Sequence, residues 1–191
     1  MKHELLSRYV LFSCEGTSEG VVIERLAENG RLLVPNDRIV KDPRTFRPFT
    51  RARKASDIEE RFFAQNYAVG TSEGLLVARI VDSRNAKFTL SRANRNSAIV
   101  RTFITAPEID MLIIHAERVY DDWLRKSRQD RQLKPSEYCS QVLGYGKCVK
   151  QEAFLKSYWA DCDRLVAAIN DYAMKRGRAT NDEHVLRDLL A

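Results

Sequence analysis

Two carboxylates follow apolar segments of this chain at the points where β-strands are expected to end. Glu15 comes directly after the run 8–14, and Asp82 comes directly after the run 75–81. Runs of this length and composition are typical of buried strands, and open α/β sheets bind their ligands beyond the carboxyl ends of their strands. Glu15 and Asp82 are therefore predicted to act in catalysis, although helix capping or a loop position is the alternative for each.

A third acidic position follows the strand predicted over 99–105. Glu108 and Asp110 come soon after Pro107, and we expect them in the first turn of a long helix. Carboxylates gathered at one edge of a parallel sheet repel one another unless a cation neutralises them. Mg²⁺ (or Mn²⁺), held by one or two carboxylates and by substrate phosphate oxygens, is the expected cofactor. The predicted metal ligands are Glu15, Asp82 and Asp110.

Basic residues accompany these acids. Arg84 lies just past Asp82 and could stabilise charge that develops on a phosphate, so Arg84 is the third predicted catalytic residue. The segment 41–54 (KDPRTFRPFTRARK) holds six basic residues, one acid and two phenylalanines. This combination suits phosphate contacts together with base stacking, although a solvated basic loop is the alternative. The predicted nucleic-acid-binding residues are Arg44, Arg47, Arg51, Arg53, Lys54 and Lys87.

Size and composition restrict the class of protein. The 191 residues are 44% hydrophobic and 30% charged, which favours one globular domain over 1–191. The net charge of +6 favours a polyanionic partner. No apolar run is long enough for a membrane span, and four scattered cysteines without a CxxC pair indicate reduced thiols and a cytoplasmic location. No phosphate-binding loop of the Walker type and no nucleophile elbow is present.

The elements that must position these groups alternate between strand and helix over the first two thirds of the chain. The pattern predicts an α/β fold with a mostly parallel, Rossmann-like sheet flanked by helices and a helical C-terminal extension over about 136–191. Short β-like pieces are expected at 31–35 and 38–40, and a turn is expected at 70–74. The predicted helices begin near 19, 55, 106, 136, 151, 162 and 182.

Three short motifs resemble those of a known family. The stretch 14–19 (CEGTSE) resembles the opening of TOPRIM-like proteins, in particular the small RloB-like group found in bacterial and phage-defence contexts. The stretch 105–115 (TAPEIDMLIIH) is similar to a helix start of that group, in which a proline and an acid precede an apolar run. The stretch 81–84 (VDSR) falls where those proteins carry Asp-x-Asp. The resemblance covers about residues 8–176.

The resemblance implies a TOPRIM-like core that binds Mg²⁺ and cuts nucleic-acid phosphodiesters. Glu15 would be the motif glutamate, acting as general acid/base or metal ligand, while Asp82 and Asp110 would bind metal. Arg84 replaces the second Asp of Asp-x-Asp, which removes one ligand and adds a positive charge. The predicted function is a metal-dependent nuclease in anti-phage defence. The alternative is a non-catalytic nucleic-acid-binding protein or a regulatory partner of a separate ATPase, and either could form a homo-oligomer.

Overall fold

The computed structural model describes residues 1–64, 74–85, 87–176, 180 and 183–191. Within these residues, three strands form one parallel sheet in the order β1 (Tyr9–Cys14), β2 (Leu75–Val81) and β3 (Ala98–Ile104). The strand bounds differ from the predicted ones by one residue at most. The prediction of an α/β fold with a parallel sheet, flanking helices and a helical C-terminal part is thus confirmed.

The described residues also form eight α-helices and three short 3₁₀ segments. The 3₁₀ segments are Asn36–Arg38, Gly146–Lys150 and Leu186–Leu189. The predicted turn at 70–74 falls almost entirely outside the described residues, and so does the start of the predicted helix at 182. The helices are α1 (Lys2–Ser7), α2 (Thr17–Glu28), α3 (Ala55–Phe62), α4 (Met111–Ala116), α5 (Tyr120–Gln129), α6 (Pro135–Gln141), α7 (Glu152–Tyr158) and α8 (Cys162–Arg176).

The sheet separates two hydrophobic clusters, as the alternation of side chains along a strand requires. Val10, Phe12 and Cys14 point to the larger cluster, which contains buried residues of α2, α4, α6, α7 and α8. Leu11 and Val77 point to the smaller cluster, where Ile58 and Phe62 of α3 cover them. All residues of β2 are buried, because β2 is the central strand and both of its faces are covered.

Two irregular segments pair with the outer edge of β1. The Val40 amide donates to the Val10 carbonyl at 2.9 Å. Further along β1, the Thr50 amide donates to Phe12 at 2.8 Å and the Thr50 carbonyl accepts from the Cys14 amide at 2.9 Å. The expected β-like piece at 38–40 is therefore a single bridge, and residues 41–49 leave the sheet before the chain returns at Thr50.

The long helix predicted from residue 106 is wrong, because the structure has two helices there. Residues 107–110 form turns, α4 begins at Met111, and Arg118 adopts a left-handed φ of 58° between α4 and α5. Helix α4 is buried from Met111 to His115 and packs on α8, whereas α5 has no buried residue. Apolar residues recur at helical spacing through both helices, so the periodicity gave no sign of the break. Among the described residues, no helix combines the length and apolar character needed to cross a membrane.

Candidate functional site

An open cleft of about 240 Å³ lies beyond the carboxyl ends of β1 and β2. Its walls are the two strand ends with Glu15 and Asp82, the first turn of α2 (16–19), the turn 108–110, and Lys150. The parallel register places Cys14 beside Ile80, so the residues that follow both strands emerge at the same edge. We call this site the carboxylate cleft, because five carboxylates and one lysine line it.

Glu15 connects the ends of the two strands. Its amide donates to the Ile80 carbonyl at 3.1 Å, which extends the pairing of β1 with β2 by one residue. Its Oε2 accepts a hydrogen bond from the Asp82 amide at 3.2 Å. The guanidinium of Arg53 lies 3.8 Å from Oε1. The structure therefore brings Glu15 and Asp82 together, as the strand-end argument predicted.

The Asp82 side chain is close enough to Glu15 for the two carboxylates to interact. Partial desolvation raises the pKa of Asp82, and the charge of Glu15 and a hydrogen bond with its carboxyl raise this pKa further. Two adjacent carboxylates repel each other when both are ionised. A shared proton or a bound cation removes this repulsion.

Asp110 is the least satisfied carboxylate of the cleft. It is only 6% exposed, and its Oδ1 has no hydrogen-bond partner among the described residues. Burial raises the pKa of Asp110 to about 6; the charge of Glu108 adds to this effect and Lys150 opposes it. A buried carboxylate oxygen without a donor is costly, and a bound cation or protonation of the carboxyl would remove this cost.

Glu19 lines the cleft as well and was not among the predicted site residues. It is 7% exposed, and burial together with the charges of Asp110 and Glu15 raises its pKa to about 7. Hydrogen bonding of its carboxylate to the backbone amides of Glu19 and Gly16 opposes this rise in pKa. A Cβ at Gly16 would lie 2.7 Å from Glu19 Oε2, so the glycine leaves space for this carboxylate.

Two other cleft residues lie beside the helices that follow the sheet. Glu108, which the sequence placed beside Asp110, accepts a hydrogen bond from the Ser136 amide at the start of α6 at 2.8 Å. Lys150 is exposed and ends the segment Gly146–Lys150. No sequence signal links Lys150 to strand ends more than sixty positions away, so only the fold could reveal it.

Arg84 and Lys87 are not brought into the cleft. Arg84 pairs with Glu183 at 3.3 Å, and the same Glu183 oxygen pairs with Arg176 of α8. Lys87 is exposed and does not line the cleft. The positive charge that the sequence placed beside Asp82 thus lies in a separate ionic cluster. In this structure Arg84 contacts no predicted metal ligand.

The basic segment, residues 41–54, runs from the outer edge of β1 to the cleft. Arg47 is held within the fold: it pairs with Glu24 at 2.8 Å and Glu152 at 2.9 Å, and it covers the Phe49 ring at 4.5 Å. This engagement gives Arg47 a structural role. The other predicted nucleic-acid ligands of the segment are exposed, and they are Arg44, Arg51, Arg53 and Lys54.

The donor set of the carboxylate cleft fits a hard divalent cation. Among the described residues, no group of three or more His, Cys, Asp or Glu side chains is already arranged to hold a metal ion. Mg²⁺ keeps several waters and usually takes only one or two carboxylates from the protein. The free Oδ1 of Asp110 and the adjacent carboxylates of Glu19, Glu15 and Asp82 supply oxygens of that kind.

The chain matches no protein-family model, and comparisons with curated proteins and with solved structures give no significant match.

Proposed function

We propose that this chain is a TOPRIM-like protein of the RloB-like group, and that its carboxylate cleft binds Mg²⁺ or Mn²⁺ and hydrolyses nucleic-acid phosphodiesters. The observation that carries the proposal is the buried Oδ1 of Asp110, which lacks a donor and lies in one cleft with Glu15, Glu19 and Asp82. The biological role follows the resemblance and is defence against foreign nucleic acid. Four free cysteines, all in the described part of the chain, fit a cytoplasmic location.

The residues of the cleft divide the chemistry among them. Asp110, Glu15 and Asp82 hold the cation, which, when bound, supplies positive charge to a phosphate oxygen. Glu19 has a pKa of about 7, so near neutral pH it can accept a proton from an attacking water or donate one to the leaving oxygen. Lys150 lies at the rim and can contact a phosphate.

The surroundings of the cleft favour a polyanionic substrate. Arg51, Arg53 and Lys54 are exposed on the β1 side. On the helical side, a cleft of about 360 Å³ shares Glu108 and Lys150 with the carboxylate cleft and adds Lys134 and Lys147. A strand that crossed the carboxylates would therefore meet cations before and after them.

The test is calorimetric titration of Mn²⁺ and Mg²⁺ into the wild type and Asp110→Asn, followed by incubation of each with plasmid, single-stranded DNA and RNA. We expect Asp110→Asn to lower Mn²⁺ affinity by about 10-fold or more. We expect Glu15→Gln to lower cleavage by roughly 100-fold or more. Glu60→Gln is the matched control, because Glu60 is an exposed carboxylate of α3 that does not line the cleft. Metal binding and cleavage that survive both cleft substitutions would contradict the proposal.

The second candidate is a nucleic-acid-binding protein without catalysis. It is favoured by one observation, which is that Arg44, Arg51, Arg53 and Lys54 of the basic segment are all exposed. It predicts nucleic-acid binding that needs no metal and weakens steeply between roughly 50 and 200 mM salt. The absence of any Mn²⁺ binding to the wild type, together with such salt-dependent binding, would decide for this candidate.

A further inference from the structure

The basic segment contains a tightly built loop at its tip. The Phe46 amide donates to the Asp42 carbonyl at 2.8 Å, and the Asp42 amide donates to the Arg47 carbonyl at 2.9 Å. The buried Asp42 carboxylate accepts from the amides of Arg44 at 2.9 Å and Thr45 at 3.3 Å. These bonds close residues 42–47 into one turn with a fixed backbone.

Phe46 occupies an unusual position in this loop. Its φ is 57°, in the left-handed region that a bulky side chain rarely adopts, and its side chain is 77% exposed. The ring contributes no burial that would offset the backbone strain. Strain of this kind persists where the surrounding structure imposes it, and it concentrates at ligand-binding positions.

The charges around Phe46 specify the chemistry of a ligand. Lys41 and Arg44 are exposed, and neither forms an ion pair with any other described residue. Arg47 and Phe49 fix the other side of the loop to α2 and α7 through Glu24, Glu152 and the surface of Gly20. An exposed aromatic ring in the same loop as exposed cations is complementary to a base with its adjoining phosphates.

We propose that Phe46 is a stacking surface for an unpaired base, and that the basic segment therefore takes single-stranded nucleic acid. Lys41 and Arg44 contact the phosphates beside that base. From Phe46 the segment leads through Arg51 to Arg53, which lies 3.8 Å from Glu15 of the carboxylate cleft. The inference rests on the proposed function in one respect only, which is that the bound nucleic acid continues from the basic segment into the carboxylate cleft. Bases inside a duplex are already stacked on both faces and cannot use this ring.

The experiment is fluorescence anisotropy with a short fluorescein-labelled oligonucleotide, as single-stranded DNA, single-stranded RNA and duplex, in EDTA. We expect the wild type to prefer the single strands and Phe46→Ala to weaken their binding about 5- to 150-fold. Phe46→Trp should restore binding, because it keeps an aromatic face. Met174→Ala is the matched control, since Met174 is an exposed apolar side chain of α8 (65% exposed) outside the basic segment.

Two outcomes would overturn the inference. One is single-strand affinity in Phe46→Ala equal to that of Met174→Ala. The other is a change on Phe46→Ala only in self-association, measured by sedimentation, which would make Phe46 a contact between copies of the chain. Because binding is measured without metal, loss of binding in Phe46→Ala supports the inference even if no variant cleaves. If the wild type cleaves nucleic acid and Phe46→Ala binds single strands as well as the wild type does, the proposed function is retained and the stacking role is rejected.

Discussion

The carboxylate cleft and the basic segment adjoin each other at the end of β1, yet they store unfavourable energy in different forms. The cleft holds desolvated like charges: Glu19 and Asp110 are buried near one another, and Asp110 lacks a hydrogen-bond donor for one oxygen. The basic segment holds a strained backbone at Phe46, and its cations other than Arg47 are exposed to solvent. A cation or a proton relieves the charge repulsion in the cleft. Neither relieves the backbone strain at Phe46.

Within the basic segment, truncation of Phe49 and of Phe46 to alanine should have very different effects on the free energy of unfolding. Phe49 is buried against Gly20 and Arg47, so Phe49→Ala should lower the free energy of unfolding by about 3–5 kcal/mol. Phe46→Ala should change it by less than about 0.5 kcal/mol, because the Phe46 ring is exposed. Urea unfolding of both variants measures the difference. Equal losses would show that Phe46 also packs against the fold.

In the cleft, the pH dependence of stability should reveal the buried carboxyls. Burial raises the pKa of Glu19 to about 7 from its ordinary value of 4.5. The folded chain therefore binds more protons than the unfolded chain between about pH 4.5 and 7, and stability falls as the pH rises through this range. Glu19→Gln should remove part of this slope and leave the variant about 2 kcal/mol more stable than wild type at pH 8.

The measurement for Glu19 is urea unfolding at several pH values in EDTA, with Glu60→Gln as the control that should follow the wild type. In a second series, with Mn²⁺ in place of EDTA, the wild-type slope should be smaller, because the cation binds the deprotonated carboxylates. If Glu19→Gln and the wild type have parallel pH profiles, then Glu19 is fully relieved by its hydrogen bonds to the start of α2. Its role would then be structural, at the start of α2.

The carboxylate cleft and the basic segment also differ in how much of their structure could be predicted from sequence. Glu15 and Asp82 could be placed together from sequence, because parallel strands emerge at one edge and both residues follow recognisable apolar runs. The burial of Phe49 and the exposure of Phe46 could not be predicted from sequence, because both residues lie among the same basic residues. Only contacts of the segment with α2 and α7, which are distant in sequence, distinguish them. Lys150 escaped prediction for the same reason, since nothing local ties it to the strand ends.

Non-local contacts also decide positions that local sequence does not. Arg84 was expected at the site because it follows Asp82 by two positions, and in the structure its guanidinium pairs with Glu183, about one hundred positions further along the chain. The predicted long helix had the right apolar period on both sides of Arg118, and the left-handed backbone of Arg118 separates α4 from α5. Periodicity reports which residues are apolar along an element, and it does not report where a buried helix must end.

The smallest predicted effect isolates the strain at Phe46 from its ring. Phe46→Gly should raise the free energy of unfolding by about 1 kcal/mol relative to Phe46→Ala, because glycine adopts φ near 57° without the steric cost that a Cβ brings. Both variants lack the ring, so both should bind single strands weakly. A glycine variant that is more stable than the wild type and binds poorly would mean that the loop retains strain for the sake of its ligand. Equal stability of the two variants would show that the left-handed backbone at position 46 carries no steric cost. Phe46 would then not be strained, and its role in stacking would depend on the binding assay alone.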